Sequence, residues 1–140
     1  MSWIRQAVPA DHPQLSRIKQ RASLSNPADR AFLAQNPALA RELEPADLWV
    51  FDGPEGITGY VALGLRKRAI ARVQGLFVDP NHMRRGVGTE LVAQCVRLAR
   101  QAGAKTLDVE INPNAVEFYR AQGFHPPPPS ASDDPWKLML

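Results

Sequence analysis

The chain has 140 residues, of which 44% are hydrophobic and 22% are charged, a balance typical of a globular domain and not of a disordered segment. Its formal net charge of +3 suits an anionic ligand but is too small to indicate a nucleic-acid-binding protein. No apolar run approaches the roughly 20 residues that span a bilayer, and the N-terminus lacks the layout of a secretory signal. The single cysteine, Cys95, rules out an internal disulfide and favours a reducing compartment. We therefore expect one cytoplasmic domain over residues 1–140, with no nucleic-acid partner and no membrane partner.

The first half of the chain predicts a strand, two helices and a three-strand meander. Residues 2–7 alternate as a strand does, and Asp11 followed by Pro13 predicts a helix whose N-cap is Asp11. Apolar residues at helical spacing continue to Leu24, after which Ser25, Asn26 and Pro27 break the helix. The second helix is expected at residues 28–35, and the three strands are expected at 48–51, 57–65 and 70–78.

The second half predicts a long helix between two strands, then a short helix and a final strand. The long helix is indicated by an apolar repeat at three and four residues that ends before Gly103: Leu91, Val92, Cys95, Leu98, Ala99 and Ala102. The remaining elements are expected at 106–111 (strand), 112–122 (helix), 124–125 (extended) and 136–140 (strand). A strand–helix–strand unit of this length implies a parallel, right-handed crossover between the 70–78 and 106–111 strands.

The segment that enters the long helix, VDPNHMRRGVGT, has the chemistry of a phosphate-binding loop. The first turn of a helix leaves backbone N–H groups unpaired and carries partial positive charge. Gly86 and Gly88 lack a Cβ, so a ligand can approach the backbone, and Arg84 and Arg85 add charges that match phosphate. These features favour a diphosphate cradle over the alternative, a tight turn with two solvated arginines. The patterns GxxxxGK[ST] and GxGxxG are absent from the sequence, which argues against a nucleoside triphosphatase or a dinucleotide-binding fold.

Two motifs resemble those of the GNAT superfamily of acyl-CoA N-acyltransferases. The stretch VQGLFVDPNHMRRGVGTELV resembles the family's acetyl-CoA-binding motif, Q/R-x-x-G-x-G/A, with Met83 where the pattern usually has Gln or Arg. Downstream, NPNAVEFYRAQGF resembles the second motif, N-x-x-A-x-x-x-Y-x-x-x-G-F. The resemblance implies an α/β fold (α+β by some schemes) with a mixed, mostly antiparallel central sheet of about six to seven strands, helices on both faces and a V-shaped split at the centre.

The resemblance also implies acetyl-CoA as the cosubstrate, without a metal. The diphosphate is expected on the backbone amides of the loop, and the pantetheine arm is expected beside the 70–78 strand. The cofactor-binding residues implied in this way are Phe77, Val78, Arg84, Arg85, Gly86, Val87, Gly88, Thr89, Asn112 and Tyr119. Asn112 also suits a helix cap, although Asn114 with Glu117 would form an alternative capping box.

Tyr119 is the catalytic residue that the resemblance implies, as the general acid that protonates the departing CoA thiolate. Its position on a helical stripe also suits a core aromatic. Many family members carry an acidic general base in the region of Gln74, which cannot titrate, so the base is expected to be Glu110, His82, His125 or a water. Asp108 is expected on the same strand face as Glu110, each with a solvated side chain as the alternative. Cys95 is expected to be a buried core residue.

The predicted function is transfer of an acetyl group from acetyl-CoA directly to a primary amine. The acceptor, a small molecule or a protein amine, carries no motif in this sequence. The alternative is a non-catalytic acyl-CoA-binding module that regulates a partner. The family commonly forms homodimers, and the sequence leaves the oligomeric state open. The Val78 N–H is expected to stabilise the developing oxyanion.

Overall fold

The computed structural model describes residues 2–24, 31, 48–65, 69–111 and 113–140. The strands in these ranges are β1 (Ile4–Gln6), β2 (Leu48–Gly53), β3 (Gly56–Gly64), β4 (Ile70–Val78), β5 (Thr106–Val109) and β6 (Trp136–Met139). The α-helices are α1 (His12–Leu24), α2 (Val87–Gln101) and α3 (Val116–Ala121). Short 3₁₀ turns lie at Pro9–Asp11, Pro80–His82, Pro113–Ala115 and Pro129–Ala131. The helix predicted at 28–35 lies outside the described residues, apart from the helical Ala31.

The strands form one sheet in the order β1-β2-β3-β4-β5-β6. Neighbouring strands are antiparallel except β4 and β5, which are parallel and are connected through α2. Val61 packs in the same cluster as Leu91 of α2, whereas its neighbour Ala62 packs with Leu15 of α1. Because successive strand residues point to opposite faces, α1 and α2 cover opposite faces of the sheet. The predicted mixed sheet with helices on both sides is confirmed.

Helical structure begins earlier than the sequence predicted, so Asp11 is not an N-cap. The 3₁₀ turn starts at Pro9, which has no N–H to lose and a φ suited to a first helical turn. The Asp11 carboxylate instead reaches back to accept a hydrogen bond from the Val8 N–H at 2.8 Å, and it pairs with Arg5 at 2.8 Å. The Arg5 guanidinium holds the pKa of Asp11 below its usual range. This pair fixes the start of α1 against β1.

The strand predicted at 70–78 is confirmed at both ends as β4, but others differ at their ends. β2 extends to Gly53, which lies opposite Gly56, so the β2–β3 turn is only the two residues between them. β5 ends at Val109, two residues before its predicted end. The piece predicted to extend from Phe124 forms a single bridge, between His125 and Lys137. The proline run that begins at residue 126 has no N–H groups to donate, so this piece cannot extend into a strand.

A β-bulge in β4 opens the sheet. Ala62 of β3 lies opposite Gly75, but Leu63 lies opposite Val73, so Gln74 is an extra residue in β4. A bulge bends the strand that carries it. β4 pairs with β5 only over residues 70–73, and beyond Gln74 the two strands diverge. The V-shaped split that the sequence analysis expected is therefore present, and it starts at the bulge.

Within the described ranges, no helix has the length and apolar character required to cross a membrane.

Candidate active site

A cavity of about 470 Å³ occupies the split between β4 and β5. Its walls are the diverging half of β4, the loop after β4, the first turn of α2, the end of β5 and the start of α3. The lining residues are Ala22, Val73, Gln74, Gly75, Leu76, Phe77, Val78, His82, Met83, Arg84, Gly86, Val87, Gly88, Thr89, Val109, Glu110, Asn114, Ala115, Phe118 and Tyr119. All the residues predicted to bind the cofactor are among them except Arg85 and Asn112, and Asn112 lies outside the described residues.

The N-terminus of α2 opens onto this cavity. Gly86 is its N-cap and offers no side chain to cap the helix, and the first hydrogen bond runs from the Glu90 N–H to the Gly86 carbonyl at 3.0 Å. The N–H groups of residues 87–89 precede that bond, and all three residues line the cavity. Unpaired amides together with the positive end of the helix dipole form a site for an anion.

The two loop glycines have different structural roles, and the close ligand approach that the sequence suggested for both stays a prediction. Gly86 has a φ of +84°, in the left-handed region that favours glycine, and a Cβ there would meet nothing within 4 Å. A Cβ on Gly88 would lie 3.2 Å from the Phe118 ring. Gly86 therefore provides the turn, and Gly88 provides room for an aromatic ring in the cavity wall.

Backbone groups of β4 point into the split. The Asp79 N–H donates to the Thr58 carbonyl of β3 at 2.8 Å, so it points away from β5. Since backbone N–H groups alternate along a strand, those of Val78 and Leu76 point toward the split. Val78 was predicted as a hydrogen-bond donor, and Leu76 was not.

The two loop arginines have different environments. Arg84 lines the cavity, is exposed, and adopts a left-handed φ of 63°, a strained conformation for a residue other than glycine. The Arg85 guanidinium instead lies 3.3 Å from the Glu55 carboxylate in the β2–β3 turn. The same carboxylate lies 2.5 Å from the His82 Nε2, so Glu55 joins that turn to the loop.

Tyr119 lies on α3 in the wall of the cavity, with only 5% of its surface exposed. Its ring makes edge-on contacts with Phe118 and Phe124, with centroids 5.0 and 5.3 Å away. Burial raises the pKa of the Tyr119 phenol above its ordinary value, and Cys95 adds to the shift. The phenol is thus protonated at neutral pH, as a hydrogen-bond donor or proton donor must be.

The candidate bases do not all reach the cavity. Glu110 and His82 line it, whereas His125 is exposed and lies outside the wall. Asp108 also lies outside the wall, and the solvated side chain considered for it is wrong: the residue is 2% exposed and its Oδ2 lies 2.8 Å from the Lys137 Nζ. Asp108 lies directly opposite Lys137 in the β5–β6 register, which places the two side chains on one face.

The structure also tests the predictions for Cys95 and for the N-cap of α3. Burial raises the pKa of the Cys95 thiol to about 12, and its side chain is fully enclosed, so Cys95 is a core residue, as predicted. The N-cap of α3 is Ala115, which makes no side-chain cap, so the capping box of Asn114 and Glu117 is wrong. The 3₁₀ turn that starts at Pro113 places Asn114 inside helical structure.

Some wall residues were missed. Ala22 belongs to the apolar stripe of α1, and Val109 looked like an ordinary strand residue. Phe118 is next to Tyr119 in the sequence. The only sequence signal for its place in the wall was the glycine at position 88, which leaves room for the Phe118 ring. Among the residues that the structure describes, no group of three or more His, Cys, Asp or Glu side chains could hold a metal ion.

Comparison with known proteins gives one family match. The model of the acetyltransferase (GNAT) family matches residues 9–124. A curated relative, an uncharacterized N-acetyltransferase of Methanocaldococcus jannaschii, is 33% identical over 63 residues, which are 43% of this chain and 28% of the relative. The matched part of the chain thus spans well under a third of that protein's length.

Solved structures share the fold at low identity. Ard1 from Thermoplasma volcanium has a TM-score of 0.70 at 22% identity, with 96% of this chain and 93% of that chain covered. The ribosomal-protein-S18-alanine N-acetyltransferase from Escherichia coli has a TM-score of 0.67 at 21% identity, covering 96% and 87%. N-acetylglutamate synthase from Neisseria gonorrhoeae, complexed with coenzyme A and N-acetyl-glutamate, has a TM-score of 0.71 at 18% identity, covering 96% of this chain and 34% of that one.

Proposed function

The chain belongs to the acetyltransferase (GNAT) family, and from this premise we propose that it moves an acetyl group from acetyl-CoA directly to a primary amine. The observation that carries the proposal is the cavity itself. It joins an anion-binding helix N-terminus, a strand edge with free backbone groups and a buried tyrosine in one wall. Each of these parts has a role in the attack of an amine on a thioester.

The diphosphate of CoA would lie at the N-terminus of α2. The amides of residues 87–89 and the exposed Arg84 supply donors and positive charge there. The pantetheine arm would lie along β4, where Leu76 and Val78 offer N–H groups toward the split. The full proposed set remains Phe77, Val78, Arg84, Arg85, Gly86, Val87, Gly88, Thr89, Asn112 and Tyr119, with Arg85 acting from outside the wall. The gonorrhoeal synthase of the same fold was solved with coenzyme A, which supports this choice of cosubstrate.

Catalysis would consist mainly of holding the amine against the thioester. The amine attacks the carbonyl carbon, the oxyanion accepts a hydrogen bond from the Val78 N–H, and the C–S bond then breaks. Tyr119 gives its proton to the departing sulfur, since burial keeps the phenol protonated. No acyl-enzyme is expected, because the Cys95 thiol is enclosed and its pKa is raised to about 12.

Glu110 is the strongest candidate for the group that takes the proton from the amine. It lines the cavity at the end of β5, and its carboxylate lies 3.7 Å from the Arg72 guanidinium, a long pairing that leaves it available. His82 also lines the cavity, but Glu55 already engages its Nε2. Glu110→Gln should therefore lower kcat, and the loss should be smaller at high pH, where more acceptor amine is already neutral.

The proposal covers residues 1–140 as one domain, in the cytoplasm, acting on a small-molecule or protein amine. The single sheet and a family match over residues 9–124 support the single domain. The single cysteine supports the cytoplasmic location. The rival function is an acyl-CoA-binding module without turnover. The presence of Tyr119 in the wall favours the enzyme over this rival.

The deciding experiment has two stages. Calorimetric titration of acetyl-CoA and CoA should give micromolar binding that is lost in Gly86→Glu, with circular dichroism to check that the variant is folded. Turnover of an amine panel is then followed by release of the CoA thiol. Tyr119→Phe should lower kcat by about 10²-fold, whereas Tyr60→Phe, a tyrosine that is equally buried but outside the cavity wall, should not.

The results of these two stages distinguish the acetyltransferase from the regulatory module. Absence of binding to the folded wild-type chain would refute the proposal. Binding without turnover of any amine would favour the regulatory module. Turnover that Tyr119→Phe leaves unchanged would remove the general-acid role and keep the rest.

A further inference from the structure

Glu55 contacts the loop that precedes α2 from outside the cavity wall. It is one of the two residues of the β2–β3 turn, which lies between Gly53 and Gly56. Its Oε2 lies 2.5 Å from the His82 Nε2, and it accepts a hydrogen bond from the Arg85 guanidinium at 3.3 Å. One carboxylate oxygen therefore contacts the loop at two positions.

The two contacts lie on either side of Met83 and Arg84 in the chain. Both residues line the cavity, and Arg84 has the left-handed φ of 63°. In the described part of the chain, the bond from Arg85 to Glu55 is the only hydrogen bond or ion pair that joins residues 83–85 to another element. Strained backbone persists only where the surrounding structure determines it, so Glu55 supplies the support that this segment needs.

The two ends of the loop are held in other ways. At its start, the Asp79 carboxylate accepts a hydrogen bond from the Asn81 N–H at 2.9 Å and lies 3.2 Å from the Arg21 guanidinium of α1. At its end, Gly86 is the N-cap of α2. Glu55 thus supports the middle of the loop, where Arg84 is available to an anion in the cavity.

The contacts of Glu55 contribute little to the stability of the fold. The side chains of Glu55 and Arg85 are each 59% exposed. Ion pairs at this exposure are screened by solvent and restrict two flexible side chains. In addition, the charge of a carboxylate near an anion site opposes anion binding. The contacts of Glu55 and its charge should therefore affect anion binding with opposite signs, so experiment can separate them.

We propose that Glu55 is a positioning residue for acetyl-CoA: it holds His82 and Arg85, so that Met83 and Arg84 are in place before the diphosphate binds. This inference rests on the proposed function. A loop that is ordered before binding does not have to be ordered by the ligand, so the affinity is higher. Glu55 contacts neither the thioester nor the amine in this scheme, so kcat should not depend on it.

The first test is calorimetric titration of acetyl-CoA into Glu55→Ala, with steady-state kinetics in parallel and circular dichroism to check the fold. Both Kd and KM for acetyl-CoA should rise by roughly three- to tenfold, the range expected when binding must order one further side chain, while kcat stays the same. Glu55→Gln should recover part of the affinity, because its amide oxygen can still accept the hydrogen bond from Arg85. Asp52→Asn is the matched control: it removes a carboxylate of the same hairpin that pairs with Arg5 at 3.0 Å, and it should change neither constant.

Two further measurements ask whether Glu55 acts through the loop. Trypsin cleaves after arginine, so cleavage of the folded chain after Arg84 or Arg85 should be faster in Glu55→Ala than in the wild type, without any ligand. In a chain that already carries His82→Ala and Arg85→Ala, adding Glu55→Ala should not weaken acetyl-CoA binding further, because the contacts through which it acts are gone.

Unchanged or tighter binding of acetyl-CoA by Glu55→Ala would overturn the inference, and tighter binding would mean that the charge of Glu55 outweighs its contacts. A lower kcat with an unchanged KM would also overturn it, as would an unchanged rate of cleavage by trypsin. If the wild-type chain binds acetyl-CoA and Glu55→Ala binds it equally well, only this inference falls. If the wild-type chain does not bind acetyl-CoA, the proposed function falls and this inference falls with it.

Discussion

Replacing each loop glycine with alanine should separate the two roles that the structure gives them. Gly86 has a φ of +84° and no protein atom within 4 Å of a would-be Cβ, so the effect of Gly86→Ala on stability should come from the backbone conformation alone. An L-residue in the left-handed region costs roughly 1–2 kcal/mol. We therefore expect the free energy of unfolding to fall by about that amount, a factor of roughly 5–30 in the folded-to-unfolded ratio.

Gly88→Ala should affect ligand affinity and not stability. The position lies in the first turn of α2, where alanine is a better helix former than glycine by up to roughly 1 kcal/mol. However, the new Cβ would lie 3.2 Å from the Phe118 ring, which must shift within the cavity wall. Stability should change little, while the affinity for acetyl-CoA falls.

Urea unfolding followed by tryptophan fluorescence measures the first effect, and calorimetry measures the second. The midpoint for Gly86→Ala should move without a change in the m-value. Gly86→Asn is the matched control, because asparagine tolerates the left-handed region better than alanine and should recover part of the loss. If Gly86→Ala is as stable as the wild type, or Gly86→Asn is the less stable of the two, the conformational explanation is wrong.

Three further predictions follow from side-chain environments. Arg84→Ala should raise the KM for acetyl-CoA more than Arg85→Ala does, because only Arg84 lines the cavity, and equal effects in steady-state kinetics would contradict this. Alkylation of Cys95 in the folded chain should be slow at pH 8 and accelerate as pH rises toward the raised pKa of about 12, so rapid labelling of the native protein would count against its burial. Lys137→Met should destabilise the fold by about 1–3 kcal/mol, because it leaves the buried Asp108 carboxylate without its partner. In denaturant unfolding, adding Asp108→Asn should restore part of that loss, and failure to do so would mean that the loss does not come from the unpaired carboxylate.

The sequence predicted the centre of the fold well because its signals there are local. The apolar run of β4 ends in Asp79 and Pro80, and α2 starts at a glycine and stops before another, so both elements are bounded by residues that act on their own backbone. The bulge at Gln74 was missed although it has a local signal: Gly75, inside a strand pattern, often marks such an irregularity.

Other features depend on residues far apart in sequence. Asp108 looked like an exposed strand residue, and its burial follows from its register with Lys137, which no local pattern encodes. The placement of Ala22 in the cavity wall requires knowing how α1 crosses β4. By contrast, the loss of a strand after His125 was predictable from the prolines that follow it.

The bulge at Gln74 also makes β4 one residue longer than its pairing with β3 requires. If Gln74 were deleted, Val73 would still lie opposite Leu63 and Gly75 opposite Ala62, so neither face of the sheet would exchange its apolar side chains. A one-residue deletion in an ordinary strand moves every following side chain to the other face. Here the deletion would instead straighten β4 and carry it along β5. The opening between β4 and β5 is in this sense a single-residue insertion in β4, one that leaves the apolar faces of the sheet as they are.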